Sequence, residues 1–199
     1  MKYICFLFLA LIIGGVGCIE DDPQPIREVI TVRDTITILQ RDTLIQFLPE
    51  DSALAVVLVR HAETVGSGSD RMLSDEGAER AMDLQRTLAN LDLTHVYSTD
   101  FNRTQQTASP TAVNRSLDVI SYDPSDLSGF AAMLKDAHKG QIVLVVGHSN
   151  TTPDLINVLT GNTSIPNFDE DIHDNLYIVN IKLNGDSDVY HLEYGEDSP

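Results

Sequence analysis

Cysteine is scarce in this sequence. Only Cys5 and Cys18 occur among 199 residues, and both lie close to Met1. A disulfide framework is therefore excluded for the body of the chain. No C-x-x-C and no histidine pair at helical spacing occurs, so no metal site is suggested. Positive charge is scarce as well. Lys and Arg number 13 against 30 Asp and Glu, for a net charge of −17. From residue 54 onward the ratio is nine to 22, so the deficit belongs to the folded part. Such a surface repels nucleic acid and anionic membranes, and nucleic acid is not expected as a partner. An arginine placed at a strand end then stands out. Long apolar runs are also few. The longest, YICFLFLALIIGGVG, covers fifteen residues from Tyr3 to Gly17. That is short of the ~20 needed to span a bilayer. Lys2 precedes it and glycines end it, which is the pattern of a secretory signal rather than a membrane span.

The signal reading covers residues 1–17. Its exit, GVGC followed by IEDD, resembles a bacterial lipoprotein signal, although the usual leucine of the small-residue box is missing. The resemblance implies cleavage before Cys18 and acylation of Cys18. It implies an exported protein anchored to a bacterial membrane through lipid, facing the periplasm or the cell surface. Stable anchoring takes more than one acyl chain, which that modification supplies. Residues 18–52 then read as a tether, rich in Thr, Ile and Val and carrying the repeat RDT at Arg33 and Arg41. Its alternating apolar residues fit a ribbon, an amphipathic helix or a partly ordered stalk.

Residues 53–199 read as one domain of sufficient size for a real core. From residue 54 strands and helices alternate. LAVVLVRH is an apolar strand, followed by a helix over 74–91 with Ser74 as N-cap. A strand THVYST and a helix from Phe101 that Pro110 interrupts or kinks come next. Then follow a strand SLDVISY, a helix over 125–138, a strand QIVLVVGH and a helix closed by Gly161. Residues 175–182 and 187–194 form a final antiparallel pair. This order predicts an α/β fold, a three-layer α/β/α sandwich with a mostly parallel central sheet.

In such sheets ligands bind beyond the carboxyl ends of the strands. The polar residues there form a pattern. The first strand delivers Arg60, His61 and Glu63. The second delivers Ser98, Thr99 and Asp100, with Arg103 just beyond. The third offers Tyr122, Asp123 and Asp126, and the fourth His148, Ser149 and Asn150. Two arginines and two histidines converging on one crevice would make a dianion pocket, since guanidinium forks match phosphate oxygens. One histidine can attack phosphorus. The other can bind the same oxygens as a proton-bearing donor. His95, His138, His173 and His191 lack such company and carry no functional expectation.

Here the chain resembles a known family. LVRHAET resembles the Arg-His-Gly-Glu signature of the histidine phosphatase (phosphoglycerate mutase-like) superfamily, with Ala62 in place of the commoner glycine. LSDEGAERA resembles the segment that follows it. VYSTDFNRTQQTA resembles the second arginine motif and VLVVGHSN the second histidine motif. The resemblance implies a phosphoglycerate mutase-like fold, transient phosphorylation of His61, and a phosphoryl group held by Arg60, Arg103 and His148. It implies no metal and no other cofactor. The activity implied is a metal-independent phosphomonoester phosphatase of small branch size. Its substrate would be a small phosphorylated molecule or a phosphoprotein.

The general acid is not given by the motifs. Family members often use a carboxylate after the third strand. No glutamate lies between Arg103 and His148, so Asp123 is the first candidate and Asp126 the second. Asp123 before Pro124 also fits a turn, and Asp126 also fits a helix N-cap. Glu63 fits a pocket or a surface loop equally. Three rival readings remain. A phosphoglycerate mutase-type transferase would need more enclosure than this short domain suggests. A binding module could keep the pocket without turnover. An esterase built on Ser149 lacks the second glycine of the nucleophile elbow, where Thr151 stands.

Overall fold

The computed structural model describes residues 52–162 and 164–198. The signal, Cys18 and nearly all of the tether lie outside the described residues. Among the described residues no helix is long and apolar enough to cross a membrane.

The elements alternate along the chain as the sequence predicts. β1 (Ser52–Arg60) is followed by two short strands, β2 (Thr64–Val65) and β3 (Met72–Leu73). Then come α1 (Asp75–Thr87), β4 (Leu93–Ser98), α2 (Asn102–Arg115), β5 (Val119–Ser121), α3 (Leu127–Ala137), β6 (Ile142–Gly147) and α4 (Thr151–Thr160). The antiparallel pair β7 (Asn175–Lys182) and β8 (Ser187–Glu193) closes the fold. β1 opens at Ser52, two residues before the expected strand. The β2–β3 ribbon was not expected, because two residues per strand leave no hydrophobic period to read. α2 runs through Pro110 without a break.

The main sheet has the order β5-β4-β6-β1-β7-β8. β5, β4, β6 and β1 are parallel, and β7 and β8 are antiparallel additions. Register sets the carboxyl ends level. Arg60 pairs with Gly147, Ser98 with Val146 and Ser121 with Ser98. β1 is buried on both faces, and its side chains alternate between two cores. Val57 and Val59 meet Leu84 of α1, Leu88 at its C-cap and Ala108 of α2. Leu54, Val56 and Leu58 meet Phe130, Leu134, Leu155 and Ile156 of α3 and α4. Burying these aliphatic side chains contributes roughly 1.5–3 kcal/mol each, so the central strands are the most rigid support the chain has.

Caps fix where the helices begin. The Ser74 side chain accepts from the Gly77 amide. Asp126 does the same for Gly129 (2.9 Å), which is the N-cap role read from the sequence. α2 has no cap of its own at Phe101. Asp70 reaches across from the β2–β3 loop instead and takes the Asn102 amide at 2.7 Å. Two glycines permit close approach. At Gly147 a Cβ would lie 2.7 Å from the Thr152 hydroxyl and 3.0 Å from that of Tyr122. At Gly77 a Cβ would overlap the Glu63 carbonyl, which also accepts from the Ser74 amide at 3.0 Å.

This contact ties α1 to the loop after His61. Gly77→Ala is expected to destabilise the protein by about 1–3 kcal/mol, the usual cost of overpacking. A urea titration of the full chain would show it as a lower midpoint with an unchanged slope. An unaltered midpoint would mean that α1 and the Glu63 backbone separate without cost.

Candidate active site

The site is assembled where the parallel strands end. The amide of His61 donates to the Gly147 carbonyl at 3.0 Å, carrying the β1–β6 pairing one residue beyond Arg60. This sets His61 beside His148, with ring centroids 5.5 Å apart. The Ala62 amide donates to the Thr107 hydroxyl, which donates in turn to the Arg103 carbonyl. The first turn of α2 is thereby locked to the loop after β1.

His61 is 4% exposed. Its Nδ1 lies 2.8 Å from the Ala62 carbonyl. A carbonyl only accepts, so Nδ1 carries the proton and Nε2 presents a lone pair. Burial, and then the positive charges of Arg60 and Arg103, push the His61 pKa down to about 3. The imidazole is neutral across the ordinary range, which is the state a nucleophile requires.

His148 is neutral for related reasons. Burial lowers its pKa to about 4, with Arg103 and Arg60 adding to the effect. Its Nδ1 accepts from Arg103 Nη2 at 3.2 Å, and its Nε2–H donates to the Thr99 hydroxyl at 2.9 Å. The sequence suggested a proton-bearing donor toward phosphate. In the structure His148 spends that proton on Thr99 and orients Arg103 with its other nitrogen. Phe101 stands edge-on to His148 and lies under the Arg103 guanidinium, 4.5 Å from carbon to ring centre.

The two arginines are held with donors to spare. Arg60 Nη1 donates to the carbonyls of Asp169, Glu170 and Ile172, and Nη2 donates to Glu170 Oε2 at 2.8 Å. Arg103 Nη1 donates to the Ser69 carbonyl. The Nε–H of each guanidinium is buried without a hydrogen-bond partner. Buried unpaired donors are costly, and both guanidiniums keep a hydrogen-bonding nitrogen that the protein does not satisfy. Burial lowers the pKa of both arginines, and the nearby charge of Arg71 adds to this.

Arg60, His61, Arg103 and His148 are thus brought together, as the sequence predicts. Asp123 is placed differently. Its carboxylate accepts from both the amide and the hydroxyl of Ser125, which lowers its pKa, and it is fully solvated. Glu63 is a supporting residue. It pairs at 2.8 Å with Arg80, which is buried behind the loop and donates to the Tyr194 carbonyl. Ser149 donates to Glu170 at 2.7 Å, and no histidine stands at that hydroxyl as a base, which removes the esterase geometry.

Four site residues were not anticipated. Thr99 reads in the sequence only as a strand-end residue, and here it accepts the His148 proton in a hydrogen bond. His173 carries no functional signal in the sequence, yet its Nδ1–H donates to the His61 carbonyl at 2.8 Å and its ring centre lies 5.6 Å from that of His61. Arg71 and Glu170 bring charge to the crevice from loops. The one available signal was compositional: Arg71 is among nine cations of the domain.

Comparison with known proteins agrees with this geometry. Residues 56–124 match the model of the histidine phosphatase superfamily (branch 1). The chain is similar to fructose-2,6-bisphosphatase TIGAR of Xenopus laevis, 40% identical over 81 residues, which cover 35% of this chain and 30% of that protein. It is similar to "Probable phosphoglycerate mutase GpmB" of Cronobacter sakazakii, 37% identical over 78 residues and 36% of each chain. The match spans about a third of the length of these curated relatives. The structure of the protein histidine phosphatase SixA complexed with tungstate superposes with a TM-score of 0.56 at 18% identity. That superposition covers 70% of this chain and 96% of the other, and it bears on the fold alone. The family match therefore covers residues 56–124, about a third of the chain, and the solved structure is similar in fold.

Proposed function

We propose that the protein is a phosphatase that hydrolyses phosphomonoesters through a phosphohistidine on His61. One observation carries this reading. The Nε2 lone pair of a neutral, buried His61 sits among two arginines whose buried Nε–H groups have no partner. A phosphoryl group at His61 would be drawn by both guanidinium charges at once. The guanidinium charges would offset the charge on the transferring group, so the protein's own cations perform a task that metal ions perform elsewhere. The lone pair of His61 forms the N–P bond as the P–O bond to the leaving group breaks. Water then attacks the phosphohistidine and returns the electron pair to His61. The substrate class is a small phosphate ester or a phosphorylated protein side chain. On the sequence reading, acylation at Cys18 would hold the enzyme at a bacterial membrane, exposed to the periplasm or the outside.

The full chain is expected to hydrolyse para-nitrophenyl phosphate with a chelator present, and His61→Ala to abolish the reaction. Arg103→Ala is expected to lower kcat/KM by about 10²–10³-fold, the usual loss for one oxyanion-binding donor. Turnover that survives in His61→Ala would end the phosphohistidine mechanism.

The pH profile follows from the imidazoles. Their neutral forms are the active ones, and both pKa values lie below the usual 6.5. The acid limb of kcat/KM reports the free enzyme. Activity should therefore persist at pH 5 and fall only as the pH passes through about 4 and then about 3. A limb centred near the ordinary histidine value would show that the site is open to water.

A further inference from the structure

The phosphatase reading leaves one role unfilled. The leaving oxygen needs a proton, and the attacking water must lose one. Asp123 is turned into its own loop. The structure offers another carboxylate. Glu170 lies on the segment between α4 and β7, and its two oxygens bridge Ser149 Oγ (2.7 Å) and Arg60 Nη2 (2.8 Å). We propose that Glu170 is the catalytic acid and base of this site, giving its proton to the leaving oxygen and taking one from the attacking water. This rests on the phosphatase reading.

Three features support the assignment. The first is place. Ser149 directly follows His148, and Arg60 directly precedes His61, so a carboxylate bridging them spans the mouth of the crevice. Its charge is felt by Arg60, Arg103 and His148 alike.

The second is a fixed backbone with a free side chain. Three carbonyls of the segment lie on Arg60 Nη1. The Phe168 amide donates to the Ser149 carbonyl at 2.8 Å. Farther on, the Asp174 carbonyl accepts from the Tyr194 amide, and the Asp174 carboxylate accepts from the Ser198 amide. Yet the Glu170 side chain is 75% exposed. It can swing over a bound ester without disturbing the loop.

The third is electrostatic. With the crevice free of substrate, the Ser149 hydrogen bond holds the Glu170 pKa low; burial opposes it, and the charges of Arg60, His173 and Arg71 add to the lowering. A phosphoryl dianion competes for Arg60 and brings its own negative charge to the mouth. Both changes favour a protonated Glu170. A monoanionic ester can supply that proton on arrival.

The proton count closes. In the first step the His61 lone pair forms the N–P bond, the P–O bond breaks, and the leaving oxygen takes the Glu170 proton. An alcohol departs and a carboxylate remains. In the second step water adds to phosphorus, its proton passes to the Glu170 carboxylate, and the N–P electron pair returns to His61. Phosphate leaves and Glu170 is protonated again.

The test compares first turnovers of the full chain and of Glu170→Gln on two esters. Para-nitrophenyl phosphate has a leaving oxygen that needs no proton. An alkyl phosphate has one that does. General acid catalysis is worth about 10²–10⁴-fold. Glu170→Gln is expected to slow the first turnover of the alkyl ester by about 100-fold or more. The first release of nitrophenolate should stay within about 10-fold of wild type, appearing as a burst while phosphohistidine accumulates. Glu170→Asp should restore part of the alkyl rate, and Glu170→Ala should not. An equal loss with both esters would overturn the proposal and leave Glu170 as a residue that only holds Arg60. A gain with both esters would also overturn it, marking Glu170 as a block on the pocket. A wild-type chain that turns over neither ester would instead sink the phosphatase reading itself.

Discussion

The hydrogen bond from the His61 amide to the Gly147 carbonyl is the joint on which the crevice turns. It extends the β1–β6 ladder past the last strand residue. Upstream of it β1 is mostly buried aliphatic strand, and downstream of it the polar residues of the site begin. Because both strands are parallel and in fixed register, the residue after β1 and the residue after β6 emerge side by side. The two histidine rings meet as a consequence of backbone pairing, before any side-chain interaction contributes. Loops then complete the site, with the β2–β3 loop bracing Arg103 and the segment before β7 bracing Arg60.

Charge is arranged against the grain of the molecule. The domain is strongly acidic, yet at least three of its nine arginines and lysines face one crevice. Buried cations are tolerable only when their donors are satisfied. Backbone carbonyls and Glu170 do this for the terminal nitrogens of Arg60, and the Ser69 carbonyl for part of Arg103, which leaves the guanidiniums fixed and still positive. Burial first, and then the same cations, keep His61 and His148 neutral. One electrostatic arrangement therefore prepares both the binding of an anion and the reactivity of the nucleophile.

The legible part of this protein was the part made by periodicity and strand ends. Continuous apolar runs gave the parallel strands, and the polar residues at their exits gave Arg60, His61, Arg103 and His148. Ser74 and Asp126 were readable as caps because capping is a local affair of three residues. What escaped reading was contributed by loops whose position depends on tertiary contacts. His173 lies 112 residues from the carbonyl it binds. Glu170 stands in an acidic stretch that resembles any solvated loop. Asp123 illustrates the reverse: local chemistry favours the Asp-x-Ser turn it adopts, and nothing in its spacing could distinguish that from a catalytic aim. Ser116, at φ 55, ends α2 late and leaves β5 only three residues long.

Two neighbouring positions near the joint carry opposite freedoms. Ala62 is fully buried, but its methyl group has found room beside the nucleophile. Gly147 has none, because the hydroxyls of Thr152, Tyr122 and Thr151 already stand where a side chain would begin. A lineage drifting through sequence space could exchange alanine for glycine after His61 and alter little. It could not place a methyl before His148 without rebuilding the first turn of α4 and the end of β5 together. The small residue before the second histidine is thus a toll gate on divergence, held shut by three hydroxyls.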